Sequence, residues 1–97
     1  MKIVVMKFGG TSVANVEKIK NVAKTVSKHV KNNKIIVILS AMAGVTNQLQ
    51  SYIDEAIISK NNNFSSSQES DLIMTSGEQV TIGLLSMILN QQNIKSI

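Results

Sequence analysis

Two short apolar runs constrain this chain more than any other feature. "KIVVMKF" (2–8) and "KIIVILS" (34–40) are rich in β-branched residues. Each is short enough, and apolar enough, to be a buried strand with both faces covered. Between them the apolar residues recur at helical spacing: Val16, Ile19, Val22, Ala23, Val26 and Val30. Lys20, Lys24, Lys28 and Lys31 run beside that face. Asn15 can cap the helix, Glu17 sits in its first turn toward the positive end of the dipole, and "NN" (32–33) stops it near Lys31. Strand, helix, strand in this order predicts a parallel βαβ unit.

The rest of the chain reads as helix. "AMAG" (41–44) is a tight loop, after which Thr46 or Asn47 can cap a helix through "QLQSYIDEAIISK", with Leu49, Ile53, Ala56 and Ile57 inward. "NNNFSSSQ" (61–68) is a polar loop and "ESDLIMT" a short helix. Ser76 and Gln79 fit a capping box that opens a new helix, whose wide apolar face is Val80, Leu84, Leu85, Ile88 and Leu89. "IKSI" (94–97) could open a third strand. The fold class is α/β with a mainly parallel sheet. Two or three parallel strands leave faces and edges uncovered, so the sequence reads as the opening of a fold.

Composition narrows the function classes. The 97 residues fit one small domain or a piece of a larger one, and 43% hydrophobic content suffices for a core. There is no cysteine, hence no disulfide framework and no thiolate metal site. The longest strictly apolar run, "IIVIL", is too short to cross a bilayer, and the N-terminus resembles neither a signal nor a transit peptide. A cytoplasmic protein without membrane contact is expected. The net charge of +4 and a pI near 9.6 invite a nucleic-acid reading. Against it, no arginine is present for bidentate contacts, and aromatics make up only 3%. The lysines are better read as a solvated helix flank. His29 sits at the polar edge of that helix, and the five methionines read as core or loop filler.

Three stretches could carry chemistry. In "KFGGTS" (7–12) two glycines follow a strand, so the backbone can approach a bulky anion with no Cβ in the way. Backbone N–H groups and a following helix N-terminus favour negative charge there, and Lys7 adds a full positive one. The pattern is neither a Walker loop nor a dinucleotide fingerprint, and a glycine-rich turn with an incidental lysine is the plain alternative. "SAMAGVTN" (40–47) follows the second strand, and in an open α/β sheet ligands bind outside such ends, so the two loops should converge. Ser40, Thr46 and Asn47 offer polar groups, though an ordinary helix cap explains them too. Glu78 in "TSGEQ" would lie in the first turn of a helix, stabilised by its dipole, or else pair with a substrate ammonium.

Taken together, "KFGGTSV" (7–13), "LSAMAGVTN" (39–47) and "SGE" (76–78) resemble the N-terminal part of the aspartate kinases, within the amino-acid kinase family. The likeness runs along essentially the whole chain. It implies an αβα sandwich of which residues 1–97 form the N-terminal part. It further implies transfer of the γ-phosphoryl group of ATP, with Mg2+ held by the nucleotide, to the side chain of L-aspartate, giving 4-phospho-L-aspartate for lysine, threonine and methionine synthesis.

By the same resemblance Lys7 would neutralise the transferring phosphoryl group. Lys7, Phe8, Gly9, Gly10, Thr11, Ser12 and Ser40 would face the phosphates. Thr46 and Glu78 would hold the amino acid, with Glu78 on its ammonium, and no protein metal ligand is implied. Phosphoryl transfer relies on positioning and charge neutralisation, and a carboxylate nucleophile needs no strong general base. Family members are much longer, so a chain of this length is expected to be inactive alone. Its partners would be the C-terminal remainder or a homo-oligomer. Asn93 stands where the family often has glycine. A non-catalytic fragment that binds phosphate or another anion, or serves as an interaction module, is the alternative function.

Overall fold

The computed structural model describes residues 2–57 and 68–97. The element order is β1 (Lys2–Phe8), a 3₁₀ turn (Gly10–Val13), α1 (Val16–Ser27), β2 (Asn33–Leu39), α2 (Val45–Ala56) and α3 (Gln68–Gln91). β1 and β2 pair in parallel, in register from Lys2 opposite Asn33 to Phe8 opposite Leu39. The α/β class and the parallel sheet are therefore as expected.

α1 forms for the reasons its sequence offers. The Asn15 side chain accepts the Lys18 N–H at 2.9 Å, Glu17 occupies the first turn, and Ile19, Val22, Ala23 and Val26 are buried. The helix ends at Ser27 rather than near Lys31, and residues 28–31 form turns. Val16 is exposed.

The core lies on one side of the sheet. Val13, the α1 face, Leu39, Leu85 and Leu89 are buried together, with Met6, Phe8, Ile35 and Val37 packed against them. α3 lies against both α1 and α2. The other face of the sheet is bare among the described residues. There Ile3, Val5, Ile36 and Ile38 are 49–67% exposed, flanked by Lys7 and Lys34. The expectation of strands buried on both faces is thus corrected: all the helices that pack on the sheet cover one side, so every second strand residue meets solvent.

α3 overturns a second expectation. The chain runs as one 24-residue helix from Gln68 to Gln91, with no break at Ser76. The Ser76 hydroxyl donates back to the Ile73 carbonyl at 2.6 Å instead of capping a new start. Buried residues recur along α3 as Gly77, Thr81, Leu85 and Leu89, a stripe whose packing carries the helix through the local start signal. By length and composition alone α3 could cross a membrane, a property shared with core helices of soluble folds.

α2 begins without a side-chain cap. Gly44 takes the N-cap position at φ 85°, so neither Thr46 nor Asn47 serves there. Ile53 is buried as expected, whereas Ala56 is exposed. The expected continuation of α2 through residues 58–60, and the polar loop at 61–67, fall outside the described residues.

α3 ends in a turn built on Asn93, at φ 63°. The Asn93 N–H donates to the Asn90 carbonyl at 3.1 Å and the Ile94 N–H to the Leu89 carbonyl at 3.0 Å. This is the double hydrogen bond of a Schellman ending, with asparagine in the left-handed position usually given to glycine. Ile94 then packs on the core beside Leu89. Residues 94–97 form no strand.

Candidate functional site

The C-terminal ends of both strands open at the same edge of the molecule, because the strands are parallel and in register. β1 leads into Gly9 and Gly10, and β2 into Ser40 and the turn at Gly44. The Ser40 N–H donates to the Phe8 carbonyl at 3.1 Å, extending the ladder one step beyond the strands. A Cβ on Gly10 would stand 3.2 Å from the Ala41 carbonyl oxygen. The two loops therefore touch, as the strand order predicts.

The two glycines differ in what they do for the fold. A side chain at Gly10 would press on the second loop, which would have to give by a few tenths of an ångström. Gly9 has φ −80° and ψ 176°, extended backbone open to any residue, and a Cβ there would meet nothing within 4 Å among the described residues. Neither conformation nor packing within the fold requires glycine at position 9. After it the chain tightens into the 3₁₀ turn, where the Ser12 N–H donates to the Gly9 carbonyl at 3.0 Å. Sequence reading did not foresee that turn.

α3 joins the loops from the side. A Cβ on Gly77 would lie 3.0 Å from both Ala41 Cβ and Val45 Cγ1, so glycine sets how closely α3 approaches the second loop. One turn on, Thr81 is fully buried. Its hydroxyl lies 2.9 Å from the Ser40 carbonyl and 3.0 Å from the Glu78 carbonyl. Gly77 and Thr81 were not singled out from sequence. The available signal was a small residue and a threonine four apart on an otherwise apolar stripe.

The expected site residues can now be located. Lys7 is exposed at the end of β1, on the bare face, with no ion-pair partner among the described residues. Phe8 is half-buried, packs against the core and engages its carbonyl with Ser40. Thr11 and Ser12 are exposed on the 3₁₀ turn. Ser40 is half-buried between β1 and α3. Thr46 is exposed in the first turn of α2, beside the Val45 that meets Gly77. Glu78 is exposed in the middle of α3, so the expected first-turn dipole does not act on it. Hydrogen bonds and close contacts thus bring together Phe8, Gly10, Ser40, Ala41, Gly77 and Thr81, the frame on which the exposed groups stand.

A groove lies away from these loops. About 580 Å³ opens along the free edge of β2, between Ile36, Ile82, Leu85 and the residues after α3.

The sequence model of the amino acid kinase family matches residues 2–97. The chain belongs to the amino acid kinase family. Within it, the chain is 46% identical over 97 residues to an aspartokinase of Rickettsia felis, covering 99% of this chain and 24% of that protein. It is 39% identical to an aspartokinase of Geobacillus stearothermophilus, covering 100% of this chain and 23% of that one. The chain thus spans about a quarter of the length of these curated relatives.

A solved aspartate kinase of Synechocystis superposes with a TM-score of 0.79 at 38% identity, over 93% of this chain and 15% of that one. Aspartokinase III of E. coli, solved in complex with aspartate and ADP, superposes at 0.64 with 22% identity over 94% of this chain and 29% of that one, a likeness of fold.

Proposed function

We propose that this chain forms the phosphate-facing and amino-acid-facing part of an aspartate kinase that uses MgATP. One side-chain carboxylate oxygen of L-aspartate attacks the γ-phosphorus. The bond from that phosphorus to the bridging oxygen of ADP breaks, leaving 4-phospho-L-aspartate and ADP. The observation that carries the reading is Gly9: an exposed glycine that the described part of the fold does not need, next to an exposed Lys7 with no ion-pair partner among the described residues, in a chain of this family.

The residues divide the work by position. Lys7 offers a mobile positive charge where the phosphoryl group gains negative charge in flight. Gly9 and Gly10 present backbone N–H groups at a strand end, with the hydroxyls of Thr11 and Ser12 beside them. Ser40 belongs to the same wall. Glu78 takes the ammonium of aspartate and Thr46 a polar group of the same substrate. Magnesium arrives as part of the nucleotide complex. Nothing in these roles needs a general base, because the nucleophile is already a carboxylate.

The nearer relatives bear the name aspartokinase, and the E. coli protein of the same fold holds aspartate and ADP, which supports this choice of substrates. On this reading the protein works in the cytoplasm at the entry to lysine, threonine and methionine synthesis. It acts with the remaining part of a kinase domain, and the 97-residue chain alone is inactive.

The test is to join residues 1–97 to the downstream part of the Rickettsia felis aspartokinase and assay with ATP, magnesium, aspartate and hydroxylamine. Aspartyl hydroxamate is expected from the joined protein and not from the 97-residue chain, and Lys7→Ala is expected to abolish it. A folded but inactive joined protein overturns the reading. If the chain still binds phosphate in that case, the anion-binding alternative takes its place.

A further inference from the structure

Three motifs far apart in sequence are tied by a short relay of hydrogen bonds. The Ser40 N–H donates to the carbonyl of Phe8, the residue before Gly9, at 3.1 Å. The Ser40 carbonyl on the other side of the same residue accepts from the Thr81 hydroxyl at 2.9 Å. Thr81 in turn lies 3.0 Å from the carbonyl of Glu78. Thr81 is completely buried and stands between Gly77 and Leu85 on the buried stripe of α3.

A buried hydroxyl is costly unless it is bonded, and an apolar residue of the same shape would fill the space without that cost. A hydroxyl has a single proton, so Thr81 donates it to Ser40 or to Glu78 at any instant. The bond to Glu78 is the ordinary back-bond of a helical threonine. The bond to Ser40 crosses 41 positions of sequence and reaches the residue that closes the sheet against Phe8.

We infer that Thr81 is a positioning residue: its hydroxyl fixes the Ser40 carbonyl and so sets the distance between the glycine loop after β1 and the helix that carries Glu78. This rests on the proposed function only for what the two ends hold. The tie itself is a property of the fold. Gly77 sets how closely α3 approaches, and Thr81 sets where along the loop it is anchored.

The experiment compares the 97-residue chain with Thr81→Val, which keeps the shape and loses the donor, and Thr81→Ser, which keeps the donor. Amide and carbonyl NMR shifts are recorded without ligand, then during titration with inorganic tripolyphosphate. Thr81→Val is expected to shift the Ser40 carbonyl and the amides of Gly9, Gly10 and Ala41, and to weaken tripolyphosphate binding about five-fold, the loss of one hydrogen bond. Thr81→Ser is expected to keep native shifts at those positions and native affinity, even where its lost methyl lowers the melting temperature.

Changes in Thr81→Val confined to α3 overturn the inference, as does a Thr81→Ser chain with altered glycine-loop amides. The second arm decides the matter if Thr81→Val does not fold. Tripolyphosphate that leaves the native Gly9 and Gly10 amides unmoved overturns the phosphate reading of the loop. The ligand-free shifts then still decide whether the tie exists.

Discussion

Gly77 faces Val45 so closely that a methyl group added to the glycine would sit 3.0 Å from Val45 Cγ1. The same methyl would stand 3.0 Å from Ala41 Cβ and 3.3 Å from Leu49 Cδ1. Alanine is the better helix former by about 1 kcal/mol. Here that gain is opposed by overpacking of about 1–3 kcal/mol against a stiff β-branched side chain and a methyl fixed to the backbone. Gly77→Ala is expected to lower stability by about 1 kcal/mol net, measured by urea unfolding, and to shift the Ala41 amide. A stabilised variant would mean that the second loop yields freely.

The adjacent glycines predict opposite results. Gly9→Ala meets open space in extended backbone and is expected to raise stability slightly, by about 0.5 kcal/mol, through the unfolded chain. Gly10→Ala drives a Cβ against the Ala41 carbonyl oxygen and is expected to cost about 1–2 kcal/mol. Both should weaken tripolyphosphate binding. Thermal melts beside a titration separate the effects, and a Gly9→Ala chain with native affinity would remove position 9 from the site.

Lys7 carries no structural duty visible among the described residues, being exposed and unpaired. Lys7→Ala is therefore expected to leave the melting temperature within a degree or two, as surface substitutions commonly do. It should reduce tripolyphosphate affinity by roughly ten-fold, the lower range for a charge-assisted contact. Raising the salt concentration should shrink the difference between the two proteins, because the contact is solvent-exposed. Equal affinities at low salt would place the anion elsewhere.

Asn93 holds the left-handed position that ends α3. Asn93→Ala is expected to destabilise by about 1 kcal/mol and Asn93→Gly to be neutral or stabilising by a few tenths, since only glycine is free of strain there. Chemical denaturation of the three proteins checks this order. A stable alanine variant would show that the turn can be rebuilt with another hydrogen-bond pattern.

Local signals were legible and non-local ones were not. Both strands, the Asn15 cap and the buried face of α1 follow from residues within one turn or one pleat of each other. Ser76 and Gln79 gave an equally local start signal, and it failed because Gly77 and Thr81 dock α3 on residues 28 to 41 positions earlier. The bare sheet face was missed for a related reason: an apolar strand reads the same whether one side or both sides are covered. In the site, convergence of the two loops followed from strand order. The tie through Thr81 did not, because a lone threonine among leucines carries no mark of what its hydroxyl reaches.

The bond between Ser40 and Thr81 has a consequence in time. It closes a span of 41 positions, while the cap of α1 closes a span of three. Closing the wider span costs more chain entropy, and the reward arrives only after α3 has found both α1 and α2. During refolding the helical signal should therefore return before the glycine loop acquires its fixed shape. The bond that frames the site therefore waits on the docking of α3.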